Sequence, residues 1–392
     1  MMLITADRVL TDAGYLNDGA VLVEKGVITA VGPREQLVEQ AGPSAERHAF
    51  NGTVMPGLID AHVHLIFDAG GDPVSVLSES SDAELAEAMA GRAAQLLASG
   101  VTTARDLGDR NGLALRLAAE IASGAVPGPR IVSAGTPITQ PGGHCHFLGG
   151  EVTGVDEIRA LVKRNAEAGA GVIKVMAGGG GLTKGGPASW QSQFGAEELT
   201  ALVEEAHSIG LPVAAHAHGT DAIAAAVEAG VDTIEHCTWM TSEGFDLRED
   251  VLAKIIDQGT AVCPAVSPHW QMLPKFFGAE RAEQMFALVK AMADAGVKLI
   301  AGTDAGVQRA GFDGLVGALG FYSHLGLPNA RIIAMATVDA AEALGLSEIT
   351  GRIAPGLRAD LLVVDGDPLA DLGALKAVTA VVADGRLHGA GQ

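Results

Sequence analysis

The sequence predicts an α/β protein: a (β/α)8 barrel with a small antiparallel β unit built from both chain ends. Three observations carry this expectation. Apolar strand-like runs alternate with helical periodicity through the middle of the chain. The first 50 residues and the last 40 read instead as short strands parted by turn residues. No G-x-G-x-x-G follows the first middle strand, as an open doubly wound sheet would need, and no G-x-x-x-x-G-K-[ST] occurs anywhere.

The elements follow in order. VLVEKG, VITAVG and HAFNGTVM are β-rich, with turn signals at Asp18-Gly19 and Lys25-Gly26. Eight buried-type strands are then expected at Leu58–His64, GVTTARDL, RIVSAG, GVIKVMA, LPVAAHA, VDTIEH, TAVCPAV and VKLIAGT. Helical patterns stand between them, such as DAELAEAMAGRAAQLLASG and AEELTALVEEAHSIG. Repeated β-then-α units give a parallel sheet, and eight of them over about 300 residues suit closure into a barrel. ADLLVVDGD and AVTAVVADGRL, with a hairpin turn at Asp384-Gly385, return to the terminal β unit. The division is 1–56 plus 354–392 for that unit and 57–353 for the barrel.

Composition narrows the function. Of 392 residues, 48% are hydrophobic and 19% charged, which is globular and excludes global disorder. Asp and Glu number 47 against 26 Lys and Arg, a net charge of −21. That field argues against nucleic acid or an anionic membrane as partner and leaves a small-molecule substrate, near which a metal can reverse the local sign. MMLITADRVL is no signal peptide, and no apolar run reaches the roughly 18 residues of a membrane span. Three cysteines without a C-x-x-C fit a reducing compartment, so a cytoplasmic protein is expected, and with it a homo-oligomer.

Histidines and carboxylates fall into a pattern on this frame. His62 and His64 lie two apart in one strand and so share a face, a common start for a divalent metal site. His216 ends LPVAAHA's strand, His236 ends VDTIEH, and Asp304 follows VKLIAGT. Lys174 stands alone in the apolar GVIKVMA, where an unpaired ammonium is costly to bury. Taken singly, each has an ordinary structural role: a hydrogen-bonded histidine, a helix cap, a buried ion pair. Six such residues at strand ends of one barrel, where this architecture places its chemistry, point to a metal centre. There is no G-x-S-x-G, so a serine hydrolase is excluded.

PGLIDAHVHL near the start and GRIAPGLRADLLVVDGDPL near the end resemble the amidohydrolase superfamily of metal-dependent hydrolases. IKVMAGGG, VAAHAHG, TIEHCT and AGTDAG are similar to its imidazolonepropionase-like and Xaa-dipeptidase (prolidase-like, arginine-carboxypeptidase-like) branch. The resemblance covers essentially the whole chain. It implies a TIM-like barrel with a small β-sandwich, and two divalent ions, usually zinc. His62, His64 and Asp304 would hold one ion, His216 and His236 the other, and Lys174 would bridge them as a carbamate derived from carbon dioxide. A bridging hydroxide would then attack a C–N bond, with Asp304 moving the proton. His144 would contact substrate, and His218 would donate to its carbonyl or carboxylate. A lactone, carbamate, urea or ester substrate is the alternative on the same metals. A non-catalytic scaffold would have lost a ligand, and none of the six is missing.

Substrate contacts are expected from the loops. His146 lies beside His144 in TQPGGHCHFLGGE, and Lys184 lies on the glycine-rich GGGGLTKGG, a candidate lid. Trp190, Trp239 and Trp270, with Phe67, Phe147 and Phe194, follow strands on the same side of the barrel. In a chain with 4% aromatics this concentration predicts an apolar, aromatic-lined mouth and a substrate carrying a bulky apolar or aromatic group. Cys145 and Cys237 flank candidate histidines and read as small packing residues.

Overall fold

The computed structural model describes residues 1–389; residues 390–392, the tip of the expected segment 354–392, lie outside the described residues. Strands β1 (Met2–Thr11), β2 (Gly14–Glu24), β3 (Val27–Pro33), β4 (Glu46–Ala49) and β5 (Thr53–Pro56) build the N-terminal region. MLITADRVLT, outside the quoted β-rich runs, is a ten-residue strand, whose buried residues include Leu3, Ile4, Ala6 and Val9. The hairpin β2–β3 turns on Lys25 and Gly26, at φ 50° and 78°. Two left-handed residues are what a two-residue hairpin with matching twist requires.

Strands β6 (Leu58–Val63), β7 (Val101–Asp106), β8 (Arg130–Ser133), β9 (Ile173–Met176), β10 (Val213–Gly219), β11 (Thr233–Met240) and β12 (Ala261–Cys263) follow, separated by helices. The helix Asp82–Ala98 begins in a capping box, Ser81 and Glu84 each satisfying the other's backbone N–H. Its Leu85, Met89, Ala93, Leu96 and Leu97 form the buried stripe. Strands β13 (Leu361–Val364), β14 (Val378–Ala383) and β15 (Arg386–Gly389) close the chain.

Both ends meet in one eight-stranded sheet, ordered β15-β14-β13-β5-β1-β2-β3, with β4 beside β1. The joint is the antiparallel pair β5–β13, Val54 opposite Val363. The strands form one hydrogen-bonded path, and a division into the two layers of a β-sandwich is not seen among the described residues. Ile4, Val21, Val54, Leu361 and Val382 pack into one cluster of its core.

The middle strands form two parallel sheets, β6-β7-β8 and β9-β10-β11-β12. No continuous ladder closes them into a barrel among the described residues; isolated parallel bridges Ile138–Val175, Val262–Leu299 and Val63–Ala305 lie between their edges. The eighth expected strand, VKLIAGT, has no regular strand pairing. Ile300 donates to Val262 of β12, Ala301 donates to Met335 and accepts from Ala61 of β6, so its bonds are scattered over three neighbours. One apolar core runs from the strands (Leu58, Val101, Ile173, Ile234) to the helices (Leu117, Ile158, Leu199, Ile223). Parallel strands put their C-terminal ends on one side, and the candidate residues gather there. Among the described residues, no helix is long and apolar enough to cross a membrane.

Candidate metal centre

The six residues singled out by the sequence line one cavity of about 240 Å3, together with His144 and His218. Two of them sit on strained backbone: His236 at φ 71° and Asp304 at φ 58°. Left-handed conformations of non-glycine residues cost roughly 1–3 kcal/mol each and collect at functional sites. His62 and His64 approach Asp304 Oδ1 through Nε2 at 3.3 and 3.4 Å. The rings of His216 and His236 lie 4.7 Å apart, and His218 stacks on His236 at 4.4 Å.

Hydrogen bonds decide which atoms face inward. His62 Nδ1 donates to Glu235 Oε2 at 2.8 Å, and His64 Nδ1 to the Gly108 carbonyl at 3.4 Å. That leaves both Nε2 atoms turned toward the Asp304 carboxylate, as lone pairs when the rings are neutral. His216 donates through Nε2 to the Gly179 carbonyl at 3.0 Å, leaving Nδ1 as its acceptor. Lone pairs facing a carboxylate at such distances repel unless a cation sits among them. Possible metal-holding groups are His62, His236 and Asp304 on one side and His216, His218 and His236 on the other. Lys174, 1% exposed, has an Nζ with no hydrogen-bond partner. An orphan buried amine beside converging acceptors fits a site completed by added groups.

The electrostatics agree. Burial pushes the Lys174 ammonium down to about 8, Glu235 and Asp304 only partly opposing it. His64 and His218 are pushed down to about 4 and His144 to about 3, burial leading in each case. His216 and His236 fall well below an ordinary imidazole for the same reason, with their neighbouring histidines adding. Burial and Lys174 act the same way on His62, but Asp304 and Glu235 outweigh them and raise it. Burial works against ionisation of Asp304, yet His62 and His64 hold it well below the usual carboxylate range.

His144 and His218 present opposite faces. Thr238 Oγ1 donates to the His218 carbonyl at 3.2 Å, so toward His218 Nδ1, 3.0 Å away, it accepts. Neutral His218 thus has an acceptor left, not the donor that the sequence resemblance implied. Thr183 Oγ1 accepts from the Cys145 N–H at 2.8 Å and has its own proton free for His144 Nδ1 at 3.2 Å. His144 is left with Nε2–H, a donor.

The remaining expected contacts fall elsewhere. Trp239 lies inside β11, which runs to Met240, and is fully buried with Nε1 against Met292 Sδ at 3.4 Å. Trp270 packs on Phe286, Phe321 and His324. Trp190 is 43% exposed. His146 meets Phe147 edge-on in a short 3-10 turn, and Lys184 pairs with Asp72 across two exposed loops at 3.0 Å. None of these five lines the cavity, whose apolar wall is Met176, Leu182 and Val307, with Gln308 beside them. The expected aromatic mouth is therefore replaced by an aliphatic one: Trp239 and Trp270 are buried against helical side chains instead, and Trp190 stays exposed. The Phe67 ring lies 5.7 Å from that of His64.

Sequence reasoning passed over Arg105, Glu235, Thr183 and Thr238. Arg105 and Glu235 gave a usable signal, since each is a charged residue inside an apolar strand, the argument that picked out Lys174.

Side chains that could hold a metal thus converge at the strand ends of an α/β fold, where such folds place their chemistry. The amidohydrolase family model matches residues 53–388, and the chain belongs to that family and is a hydrolase. It is 28% identical to ochratoxinase of Aspergillus niger over 96% of this chain and 84% of that protein. Imidazolonepropionase of Paracoccus denitrificans is 27% identical, over 93% of this chain and 92% of that one. Among solved structures, a Xaa-Pro dipeptidase with methionine in its active site superposes with a TM-score of 0.85 at 28% identity, covering 99% of both chains.

Proposed function

We propose that the chain is a binuclear metal-dependent hydrolase that cleaves the C–N bond of a small secondary amide or peptide. The observation that carries this is Lys174 Nζ, buried and unpartnered in a cavity lined by six histidines and Asp304. Burial shifts the amine toward its neutral form, the form that takes up carbon dioxide. His62, His64 and Asp304 would hold one ion, His216 and His236 the other, with carboxylated Lys174 between them; zinc suits this nitrogen and oxygen donor set. When bound, two such ions lower the pKa of water and polarise a carbonyl. In this reading 57–353 is a closed (β/α)8 barrel, supported by the isolated bridges at its seams, and 1–56 with 354–392 is the companion domain.

The chain's own residues supply the rest. Asp304, kept ionised, accepts the proton of the attacking water and passes it to the leaving nitrogen. His144 Nε2–H donates to the substrate carbonyl, and His218 accepts from the substrate N–H. Met176, Leu182 and Val307 take an aliphatic group, and a cavity of about 240 Å3 admits only a small one. The relatives named as a dipeptidase and ochratoxinase support C–N cleavage. The His218 acceptor separates this chain from an Xaa-Pro preference, because a proline nitrogen carries no N–H.

Metal analysis of purified protein tests the centre. Two divalent ions per chain and loss of activity on chelation are expected, and active enzyme with one ion or none overturns the reading. A matched pair of substrates, N–H against N–CH3 at the scissile nitrogen, tests the substrate. The N–H member should lead in kcat/KM by about tenfold or more, and equal values overturn the role of His218.

A further inference from the structure

Behind the ligand side chains runs a buried charged chain that the reaction above does not use. Arg105, from β7, is 2% exposed, and Glu235, from β11, is fully buried. Arg105 Nη2 donates to Glu235 Oε1 at 2.7 Å, and Nη1 donates to Thr233 Oγ1 at 2.9 Å. Thr233 in turn donates to the same Oε1 at 2.7 Å. Arg105 Nε donates to the carbonyl of Ala61 at 2.7 Å, the residue before His62. The other carboxylate oxygen, Oε2, takes the His62 Nδ1 proton at 2.8 Å. One guanidinium thus grips the backbone beside His62 and the carboxylate that holds its ring, linking strands from both parallel sheets.

We propose that Arg105 and Glu235 are positioning residues that lock His62 in its Nδ1–H tautomer and keep Nε2 as a lone pair aimed beside Asp304, ready for a metal. The metal clause rests on the function proposed above; the tautomer clause does not. Two donors saturate Oε1, so only Oε2 is left for the imidazole, and an ionised carboxylate can only accept. The ring has one arrangement that satisfies every partner. Carboxylates behind ligating histidines fix tautomer and ring direction in metal sites generally, and their loss typically lowers metal affinity about 10–100-fold.

The test is Glu235→Gln, which keeps the shape. Arg105 and Thr233 will hold the amide oxygen where Oε1 was, so the amide NH2 must face His62 Nδ1. His62 should then move to the Nε2–H tautomer and lose the lone pair. Protein labelled with 15N-histidine, stripped of metal and held at a pH high enough for the His62 ring to be neutral, reports this directly from the ring nitrogen shifts. Zinc titration against a competing chelator should show one of two sites weakened at least about tenfold. Arg105→Lys, which retains a charge behind Glu235, should keep the wild-type tautomer and most of the affinity. If Glu235→Gln leaves His62 in the Nδ1–H form, or weakens neither zinc site while only the melting temperature falls, the residues are structural and the proposal fails. If wild-type protein binds no zinc but Glu235→Gln still changes the His62 tautomer, the proposed function fails and the tautomer lock stands.

Discussion

Lys174 is where the proposed chemistry is most exposed to test. Its ammonium is pushed down to about 8 by burial first, against about 10.4 for a free side chain. Between these values the unfolded chain holds a proton that the folded chain has released, so this group's contribution to stability rises with pH across that window. Carbamate formation needs the same neutral amine. Labelled bicarbonate should therefore give a 13C carbamate signal that grows from pH 7 to pH 9 and is absent in Lys174→Ala. Short carboxylic acids should restore part of that variant's metal content and activity. Asp304→Asn should lower kcat far more than it raises KM, because the lost proton acceptor acts on the way to the transition state. At this scale the sequence was most readable where charge meets apolar surroundings. His62, His64, His216, His236, Asp304 and Lys174 stood out because each is a polar residue at a strand end or in an apolar run. Their hydrogen-bond donors and acceptors did not, since a tautomer depends on partners far apart in the chain: Thr238 for His218, Glu235 for His62.

Among the elements, the glycine-rich segment after β9 illustrates what spacing alone cannot say. It reads as a flexible lid, yet its glycines make close contacts. Gly178 N–H donates to the His216 carbonyl and Gly179 N–H to that of Gln191. A side chain on Gly180 would run into the ring of His144. Gly180→Ala should leave metal content intact and lower kcat/KM by displacing His144; unchanged kinetics would mean that ring has room to move. Strand β11 carries a second lesson. VDTIEH ends in the sequence pattern at its last charged pair, but the strand continues through Cys237 and Trp239, both at positive φ. The irregular backbone sends Trp239 into the packing near Met292 rather than into the mouth. Trp239→Ala should thus destabilise the fold by roughly 3–5 kcal/mol, as large-to-small core changes do, with the substrate ranking unchanged. Denaturant midpoints and a substrate series separate the two outcomes. Alternating apolar runs made seven of the eight middle strands legible. The eighth failed because its backbone bonds go to scattered neighbours, which no local pattern encodes.

For the molecule as a whole, buried acids set the pH response. Burial pushes the Asp106 carboxyl up to about 8, with Asp109 adding, and pushes Asp109 up to about 6. Both keep a proton in the folded chain that the unfolded chain loses near pH 4. Folding therefore binds protons between about pH 4 and 8, and stability should decline as pH rises through that range. Unfolding of chelator-treated protein at several pH values checks this, and Asp106→Asn should flatten the slope. A slope of the opposite sign would mean that other acids, such as Glu235 with its depressed pKa, control the balance. The net charge of −21 adds a self-repulsion that grows in the same direction. At this scale the meeting of the termini was legible from two β-rich ends around an alternating middle. The single path of the resulting sheet was not, because pairing order depends on contacts hundreds of residues apart.

That long-range joint has a consequence for how the enzyme is born. Thr53, in β5, finds its partner in Gly366, 313 residues further on, and the whole catalytic region is translated between them. Such distant contacts form late, since loop closure must be achieved before they stabilise anything. While the ribosome is still working on the middle of the chain, β5 has an open, apolar edge of the kind that recruits other strands. Expression should then be limited by events at that edge. Chains cut before Leu361 should accumulate as aggregates even though every proposed metal ligand has already been made.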